Sequence, residues 1–528
     1  MPALDRKWWT LIAVCTATFM LLLDITVVNV ALPDIQRSLH ASFSDLQWVV
    51  DAYSLTLAAF LLTAGVVGDM VGRRGVFAVG LGVFTVSSLL CGLSTSSLVL
   101  NLARGAQGVG GAIMFATSLA LIAAAFQGRE RGTAFGIYGA VIGAAVAVGP
   151  LIGGAITSGI GWRWIFFVNV PVGVVAIALT LTRVEASREH FQRRIDWVGF
   201  VSFSASLFLL VLALVRGNSD GWGSSRIVGG LAGSVVLLVV FVLAEWRQAD
   251  PMLDLTLFRR PAMVGASIVA LTLSASIFAM FLYLTLFMQD DLGYGPFAAG
   301  LRFLPITLIS FVVAPIAGKL SVRLQARYLL GTGLLFVAVG LLLMSFIHTT
   351  SGWTVLVPGF IVTGIGIGMV NPVLASSAVS VVPPERSGMA SGSNNTFRQV
   401  GIATGIAGLG AVFQSQIQHS TSAALATTAP GRELLARGGA VLKDALAGGG
   451  VRQAAASLPS APARTALLHA YRVGFASTLD HLMLIGVVVA SVGSVCAYGL
   501  VRQRDFVPSY SAAESPVAGP AEQSAPVL

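Results

Sequence analysis

Apolar runs of membrane-spanning length alternate with short polar connections along most of this chain. A helix needs about 20 apolar residues to cross the hydrocarbon core of a bilayer. The first run contains Asp24 and is followed by no small-residue cleavage site, which favours an uncleaved helix over a signal peptide. The pattern predicts an all-α polytopic membrane protein with fourteen transmembrane helices, at 8–32, 46–67, 76–94, 98–125, 134–158, 164–183, 197–216, 227–246, 262–287, 299–321, 328–347, 354–378, 391–415 and 476–500.

Lysine and arginine give the orientation of these helices. With the N-terminus in the cytoplasm, the outer connections hold few basic residues beyond Arg37, Arg163, Arg216 and Arg226. The inner connections hold many more, among them Arg6, Lys7, Arg73, Arg74, Arg129, Arg131, Arg193, Arg194, Arg259, Arg260, Arg323, Arg327, Arg386, Arg502 and Arg504. Cytoplasmic loops carry the excess of positive charge, so we expect a multi-pass plasma-membrane protein with both termini in the cytoplasm.

Composition agrees with a lipid bilayer as the environment of the protein. Hydrophobic residues make up 55% of the 528 residues and charged residues 10%, against roughly 25% charged in soluble proteins. The net charge of +9 lies in short clusters between spans, so it indicates topology rather than nucleic-acid binding. Cys15, Cys91 and Cys496 fall within apolar runs and the six histidines are scattered. We therefore predict no disulfide framework, no metal and no cofactor.

An internal repeat divides the chain. GKLSVRLQAR (318–327) aligns with GVVGDMVGRR (65–74), and ERSGMASG (385–392) resembles ERGTAFG (130–136) at nearly the same offset. Parallel six-helix halves with a site between them near the bilayer midplane are a transporter architecture. The offset exceeds six helices by two, so spans 7 and 8 are an insertion. The predicted units are six-helix domains at 1–190 and 261–504 with two inserted helices at 191–260.

Two longer polar segments remain. Residues 416–475 are predicted to form an extracytoplasmic loop, in which RELLARGGAVLKDALAGG forms either a short amphipathic helix or a flexible stretch. Residues 505–528, rich in Pro, Ser and Ala, are predicted to be a disordered cytoplasmic tail.

The motifs occur in the order of a known family. LLLDITVVNVALPDI (21–35) and LQWVVDAYSLTLAAF (46–60) resemble helices 1 and 2 of the fourteen-helix drug:proton antiporter branch of the major facilitator superfamily. GVVGDMVGRR resembles the superfamily's cytoplasmic loop motif, LARGAQGVGGA its helix 4 motif and GPLIGG its helix 5 antiporter motif. WRWIFFVNVPVG, PMLDLTLFRRP, AGLRFLP and NTFRQVG extend the resemblance over almost the whole chain. The departure is Ala145, where the helix 5 motif usually has glycine.

Three charged residues lie within predicted spans. Asp24, Asp51 and Arg104 fall at comparable depth in the outer halves of helices 1, 2 and 4, which the resemblance makes neighbours. A buried charge costs about 2.5–3.5 kcal/mol on insertion scales, so we expect Arg104 to pair with a carboxylate. Such a carboxylate is a candidate for proton coupling or substrate recognition, with Arg104 positioning it. A static pair that holds the bundle together is the alternative.

The loop motif of Gly65, Asp69, Gly72, Arg73 and Arg74 is a candidate gate. The resemblance implies that its acid pairs with a loop arginine and caps a helix of the other half, which locks the cytoplasmic side. The matching residue of the second half is Val322, so the lock would be one-sided. Alternatively, the arginines only fix topology.

Further candidates come from helices 5, 12 and 13. Gly149, Pro150, Gly153 and Gly154 permit a kink and close helix packing, which the resemblance connects with antiport. Asn371 and Arg398 are weaker candidates for lining the cavity.

The resemblance implies a monomeric, proton-coupled antiporter that exports small amphipathic or cationic drugs or antibiotics by alternating access. An exporter of one endogenous metabolite or lipid by the same mechanism remains the alternative. A membrane-embedded enzyme is disfavoured because the sequence has neither clustered aspartate pairs nor a nucleophile constellation. A channel is disfavoured because no filter loop is repeated.

Overall fold

The computed structural model describes residues 5–41, 43–185, 196–248, 251, 253–347, 351–436, 455–458 and 460–506. In these ranges the regular structure is entirely helical. The helices are α1 (Arg6–Leu39), α2 (Phe43–Val71), α3 (Arg73–Leu93), α4 (Ser97–Ala125), α5 (Gly128–Gly159), α6 (Trp164–Phe167), α7 (Asn169–Arg183), α8 (Trp197–Asp220), α9 (Ser225–Arg247), α10 (Pro261–Leu286), α11 (Pro296–Arg302), α12 (Leu304–Leu320), α13 (Ala326–Met344), α14 (Val357–Ser380), α15 (Ser387–Ala426) and α16 (Ala461–Leu500).

These helices confirm an all-α polytopic membrane protein. Twelve spans in the described part of the chain are long and apolar enough to cross a membrane. The 32-residue α5 and the shorter apolar α12 complete the fourteen predicted positions. The predicted span 299–321 is broken at Phe303, because α12 starts with Pro305 in its first turn and proline suits only the first turn of a helix.

The long loop predicted at 416–475 is partly helical. α15 continues to Ala426 and α16 already begins at Ala461, and residues 429–436 form another short helix. Most of the predicted amphipathic stretch lies outside the described residues. At the other end of α16, Asp505 accepts a hydrogen bond from the Ala262 amide at 3.1 Å. The first residue of the predicted tail thus contacts the start of α10, and residues 507–528 lie outside the described ranges.

The two helices between the halves cover one seam of the bundle. α8 packs along both α2 and α15: the Thr63 and Ser204 hydroxyl oxygens lie 3.3 Å apart, and the Asn218 amide donates to the Ala407 carbonyl at 3.0 Å. α9 packs on the far side of α8 and presents exposed valines, as expected for a face that meets lipid. The insertion thus lies where the first half meets the second.

Candidate functional site

Asp69 joins the two halves at the end of the bundle that the positive charges assign to the cytoplasm. Its Oδ1 accepts from Arg73 Nε and from the Gly388 amide, both at 2.9 Å. Its Oδ2 accepts from the Met389 amide at 2.8 Å. We call Asp69, Arg73 and the first turn of α15 the latch. This is the contact that the loop motif implies, and its gating role remains a prediction.

The first turn of α15 is suited to a carboxylate. Residues 384–386 form a 3-10 turn and α15 begins at Ser387, so the Gly388 and Met389 amides have no acceptor within the helix. Asp69, which lies on α2, therefore caps the N-terminus of α15. A carboxylate at a helix N-terminus contributes about 0.3–1 kcal/mol at an exposed site and up to about 2 when partly buried.

Glycines bring the halves into direct backbone contact at the latch and on a second seam. A Cβ on Gly65 would lie 2.1 Å from the Gly388 carbonyl oxygen, and a Cβ on Gly318 would lie 2.2 Å from that of Gly132. α2 therefore meets α15 as α12 meets α5, and the two contacts relate segments that the sequence repeat pairs. Val322 faces Gly132 on the second seam. Because α5 begins at Gly128, the Gly132 amide is already bonded within the helix, and a carboxylate at 322 would find no free amide to cap.

The remaining motif residues shape the turn between α2 and α3. Gly72 has φ 116°, which a side chain would strain, and it lets α3 start two residues after α2 ends. Arg74 Nη1 donates to the Val184 carbonyl at 3.2 Å. Arg74 thus ties the turn to the end of α7 and takes no part in the latch.

A substitution of Gly65 by alanine is expected to lower export about tenfold, since overpacking costs about 1–3 kcal/mol and 1.4 kcal/mol corresponds to tenfold. The added methyl group would keep α2 from reaching α15 in the closed state. Uptake of substrate into inverted vesicles checks this at matched protein levels. Gly82→Ala is the control, because a Cβ there has nothing within 4 Å; equal transport by both variants would contradict the close-contact role.

A second contact fixes the start of α15. Arg386 Nη1 lies 2.6 Å from Asp254 Oδ2, and Asp254 Oδ1 accepts from the Thr256 amide at 3.0 Å. Partial burial acts to raise the pKa of Asp254, but hydrogen bonds from Thr256 and Arg386 outweigh it, so this pKa lies below its ordinary value. The carboxylate stays ionised at neutral pH and anchors the segment before α10 to α15.

Asp24 and Arg104 form a buried ion pair inside the first half. Asp24 is 3% exposed and Arg104 1%, and Arg104 Nη1 donates to Asp24 Oδ2. Asp24 Oδ1 also accepts from Gln107 at 3.0 Å and Asn169 at 3.1 Å. Both amides further contact the Ser88 hydroxyl. Four helices, α1, α3, α4 and α7, thus meet at one satisfied polar cluster.

Arg104 is held from its other side by α2. Its Nε donates to the Val49 carbonyl at 3.0 Å, and its guanidinium carbon lies 4.2 Å from the Tyr53 ring centre. Such a cation–π contact contributes about 0.5–2 kcal/mol depending on desolvation. The guanidinium is therefore fully occupied by its own half.

Asp51 does not join this cluster. Its Oδ2 lies 3.7 Å from Nε of Arg216 on α8, and both side chains are 14% exposed. The Arg216 guanidinium also lies over the Trp48 ring, 4.9 Å from its centre. Residue counting predicts similar depths for Asp24 and Asp51. Asp24 on α1 and Asp51 on α2 nevertheless project toward different neighbours. In the sequence, Arg216 counts only among the positive charges that set membrane orientation. In the structure it is the partner of Asp51.

The helix 5 motif packs α5 chiefly against α1. A Cβ on Gly149 would lie 1.8 Å from Thr26 Oγ1, and one on Gly153 would lie 3.1 Å from Val27 Cα. Gly154 instead faces Phe297 of the second half, where a Cβ would come within 3.9 Å. Pro150 lies within the continuous α5. Close packing is thus the structural role of this motif, mostly within one half, and its part in transport remains a prediction.

A small cavity lies between the halves. Ile142 and Gly143 of α5 form one side, and α10, α12, α14 and α15 form the other; Asn371 and Arg398 both line it. The Arg398 Nη2 donates to Asn371 Oδ1. Within the described ranges, no three His, Cys, Asp or Glu residues come together as a metal site would require.

A profile of the Major Facilitator Superfamily matches residues 14–406 of this chain, about three quarters of its length. The chain belongs to the major facilitator superfamily. Among superfamily members, the multidrug resistance protein Stp of Mycobacterium tuberculosis is 39% identical over 422 residues, covering 80% of this chain and 78% of Stp. The tetracenomycin C resistance and export protein of Streptomyces glaucescens is 35% identical over 413 residues, covering 78% of this chain and 77% of that protein.

A solved superfamily structure has the same fold. The proton:xylose symporter XylE superimposes with a TM-score of 0.61 at 12% identity, covering 94% of this chain and 96% of XylE. At this identity the likeness concerns the fold alone.

Several residues of this superfamily member were missed by sequence reasoning. Gln107 lies one helical turn after Arg104 in the helix 4 motif, so its position on the same face was a usable signal. Asn169 stood within a motif to which no role was given. Ser88 is an ordinary hydroxyl in an apolar run, and nothing in the sequence singles it out.

Proposed function

We propose that this protein exports small amphipathic drugs or antibiotics across the plasma membrane of a bacterium, in exchange for protons and by alternating access. The observation that carries the proposal is a cavity bounded by both halves, together with the contact that Asp69 makes from one half to the other. Opening the latch while the other end closes would move a bound compound from one side to the other. Relatives named for drug resistance and antibiotic export support drugs as the cargo.

Proton exchange needs an acid that water can reach from each side in turn. Asp24 is enclosed by donors from its own half, whereas Asp51 lies at the seam between α2 and α8, partly exposed, with Arg216 at 3.7 Å. We therefore assign the exchanged proton to Asp51. Movement of α8 relative to α2 would change the distance to Arg216 and with it the proton affinity of Asp51.

The function is tested with inverted membrane vesicles that contain the full chain. A respiratory proton gradient is established, a pH-sensitive dye reports the interior, and candidate drugs are added. Release of protons by several unrelated compounds, above vesicles without the protein, is expected for a multidrug antiporter. If no compound of a broad panel moves protons or is itself taken up, drug:proton antiport is wrong.

An Asp51→Asn substitution is expected to reduce drug-dependent proton release to the background of empty vesicles, because the amide cannot bind and release the exchanged proton. Exchange of labelled for unlabelled drug without a proton gradient should persist, which separates lost coupling from lost folding. Asp34→Asn is the matched control, since Asp34 is a partly exposed acid paired with Arg37 near the end of α1. Undiminished proton release by Asp51→Asn would exclude Asp51 as the carrier.

A narrower exporter is the second candidate function. The relative from Streptomyces glaucescens is named for one compound, tetracenomycin C, which favours a dedicated cargo over a broad range. Breadth in the vesicle panel decides between the two candidates: one responding scaffold indicates a dedicated exporter, several indicate a multidrug exporter.

A further inference from the structure

The charge of the central cavity is carried by one residue, Arg398. It lies on α15, and the cavity walls around it come from apolar side chains such as Leu273, Ile277 and Phe281. The other lining groups that can hydrogen-bond through their side chains are neutral, namely Ser274, Thr307, Ser310 and Asn371. None of the twelve residues that line the cavity is an Asp or Glu.

Arg398 also lacks a carboxylate partner within the described part of the chain. Its guanidinium donates to Asn371 Oδ1, while its Nε is buried without an acceptor. Tyr138 of α5 interacts with it electrostatically, but a phenol is neutral at physiological pH. A guanidinium whose Nε is buried without an acceptor and without an anionic partner is costly, so its presence in the cavity indicates an anion supplied from elsewhere.

The three aspartates singled out from the sequence each form an ion pair with another arginine. Asp24 pairs with Arg104, Asp51 with Arg216 and Asp69 with Arg73. None of the three lines the cavity. A cationic compound in the cavity would therefore meet an uncompensated positive charge, whereas an acidic compound would neutralise it.

A second polar group that lines the cavity is the hydroxyl of Ser310. Ser310 of α12 is 2% exposed and its Oγ has no hydrogen-bond partner. A Cβ built on Gly143 of α5 would come within 3.4 Å of that oxygen, so the hydroxyl faces the junction between the halves. A ligand oxygen placed there would satisfy a group that the protein leaves unpaired.

We propose that the cavity binds its cargo through an acidic group, a carboxylate or ionised phenol, held by Arg398 together with Asn371 and Ser310. The aromatic or aliphatic remainder lies against Leu273, Ile277 and Phe281. This inference rests on the proposed export function, because it names the class of cargo that the exporter takes.

Binding to purified full-length protein in lipid nanodiscs tests the inference without transport. The probes are two matched pairs: rhodamine 110 with its methyl ester rhodamine 123, and 1-naphthoate with 1-naphthamide. Charge-assisted hydrogen bonds favour the acid by about tenfold or more in affinity. Arg398→Gln should abolish that preference, Arg398→Lys should keep it in part, and Arg323→Gln, outside the cavity, should leave it unchanged.

The outcomes distinguish a failure of the acid site from a failure of the proposed export function. The inference is overturned if neither acid binds, if ester and amide bind as tightly as their acids, or if the preference survives in Arg398→Gln. Size-exclusion profiles and thermal midpoints establish that the variants are folded, and Arg398→Lys retains the charge if the Gln variant does not fold. Binding of the acids in nanodiscs, combined with a vesicle panel in which no compound is moved, would overturn export while supporting the acid site.

Discussion

Replacing Asp69 by asparagine is expected to lower export about tenfold or more, since charge-assisted hydrogen bonds contribute about 1.5–3 kcal/mol each and 1.4 kcal/mol corresponds to tenfold. The carboxylate accepts from Arg73 and from two amides of α15. An asparagine side chain has one acceptor oxygen and no charge, so it can satisfy only part of this set. The latched state would become less populated, and fewer transport cycles would be completed.

Two measurements on the Asp69→Asn variant check this result. Export is followed in inverted vesicles, and a cysteine at Met389, introduced after removal of Cys15, Cys91 and Cys496, reports access from the cytoplasm. Met389 is 4% exposed in the latched state, so faster labelling is expected when the latch is weakened. Val322→Asn is the matched control on the other seam, and it should leave export and labelling near wild type. Unchanged labelling with unchanged export in Asp69→Asn would show that Asp69 does not hold the cytoplasmic end.

An Asp24→Asn substitution is expected to destabilise the folded protein strongly, because it leaves Arg104 buried without its counter-charge. Breaking a buried ion pair from one side costs about 3–5 kcal/mol. Gln107 and Asn169 would also face an amide in place of a carboxylate acceptor. The thermal midpoint, measured by size-exclusion chromatography after heating, is therefore expected to fall, and export should fall with the amount of folded protein.

The double variant Asp24→Asn/Arg104→Gln separates stability from coupling. It removes both charges, and neutral replacements of a buried pair recover stability that a single replacement loses. Asp34→Asn serves as the control on the same helix, since exposed ion pairs contribute only about 0–1 kcal/mol. A single Asp24→Asn variant that is as stable as wild type but releases no protons would instead make Asp24 the proton carrier.

Hydropathy was sufficient to predict the fourteen spans, because membrane helices satisfy their backbones internally and need length and apolarity above all. It could not predict breaks such as Phe303 or the extension of α15 to Ala426, because these depend on local turns and on helix contacts beyond the bilayer. The Asp69 contact was predictable only because its motif resembles the cytoplasmic loop motif of the superfamily, which implies a partner in the other half.

The ion-pair partners of the buried charges were harder to predict from the sequence. Depth along a helix follows from residue counting, but the direction in which a side chain projects depends on how the whole bundle packs. Asp24 and Asp51 illustrate this, because the first accepts from side chains of α4 and α7 while the second pairs with a side chain of α8. Arg216 lies near the end of the inserted helix, where a count of positive charges assigned it a topological role only.

The position of α8 makes the two seams of the bundle unequal toward the lipid. α8 lies over the line where α2 meets α15, whereas the line where α5 meets α12 has exposed Phe311 and Val312 beside it. Hydrophobic molecules partition into the bilayer before they reach a transporter. The inserted helices cover one flank against such a molecule, so we expect lateral entry into this protein from the opposite flank.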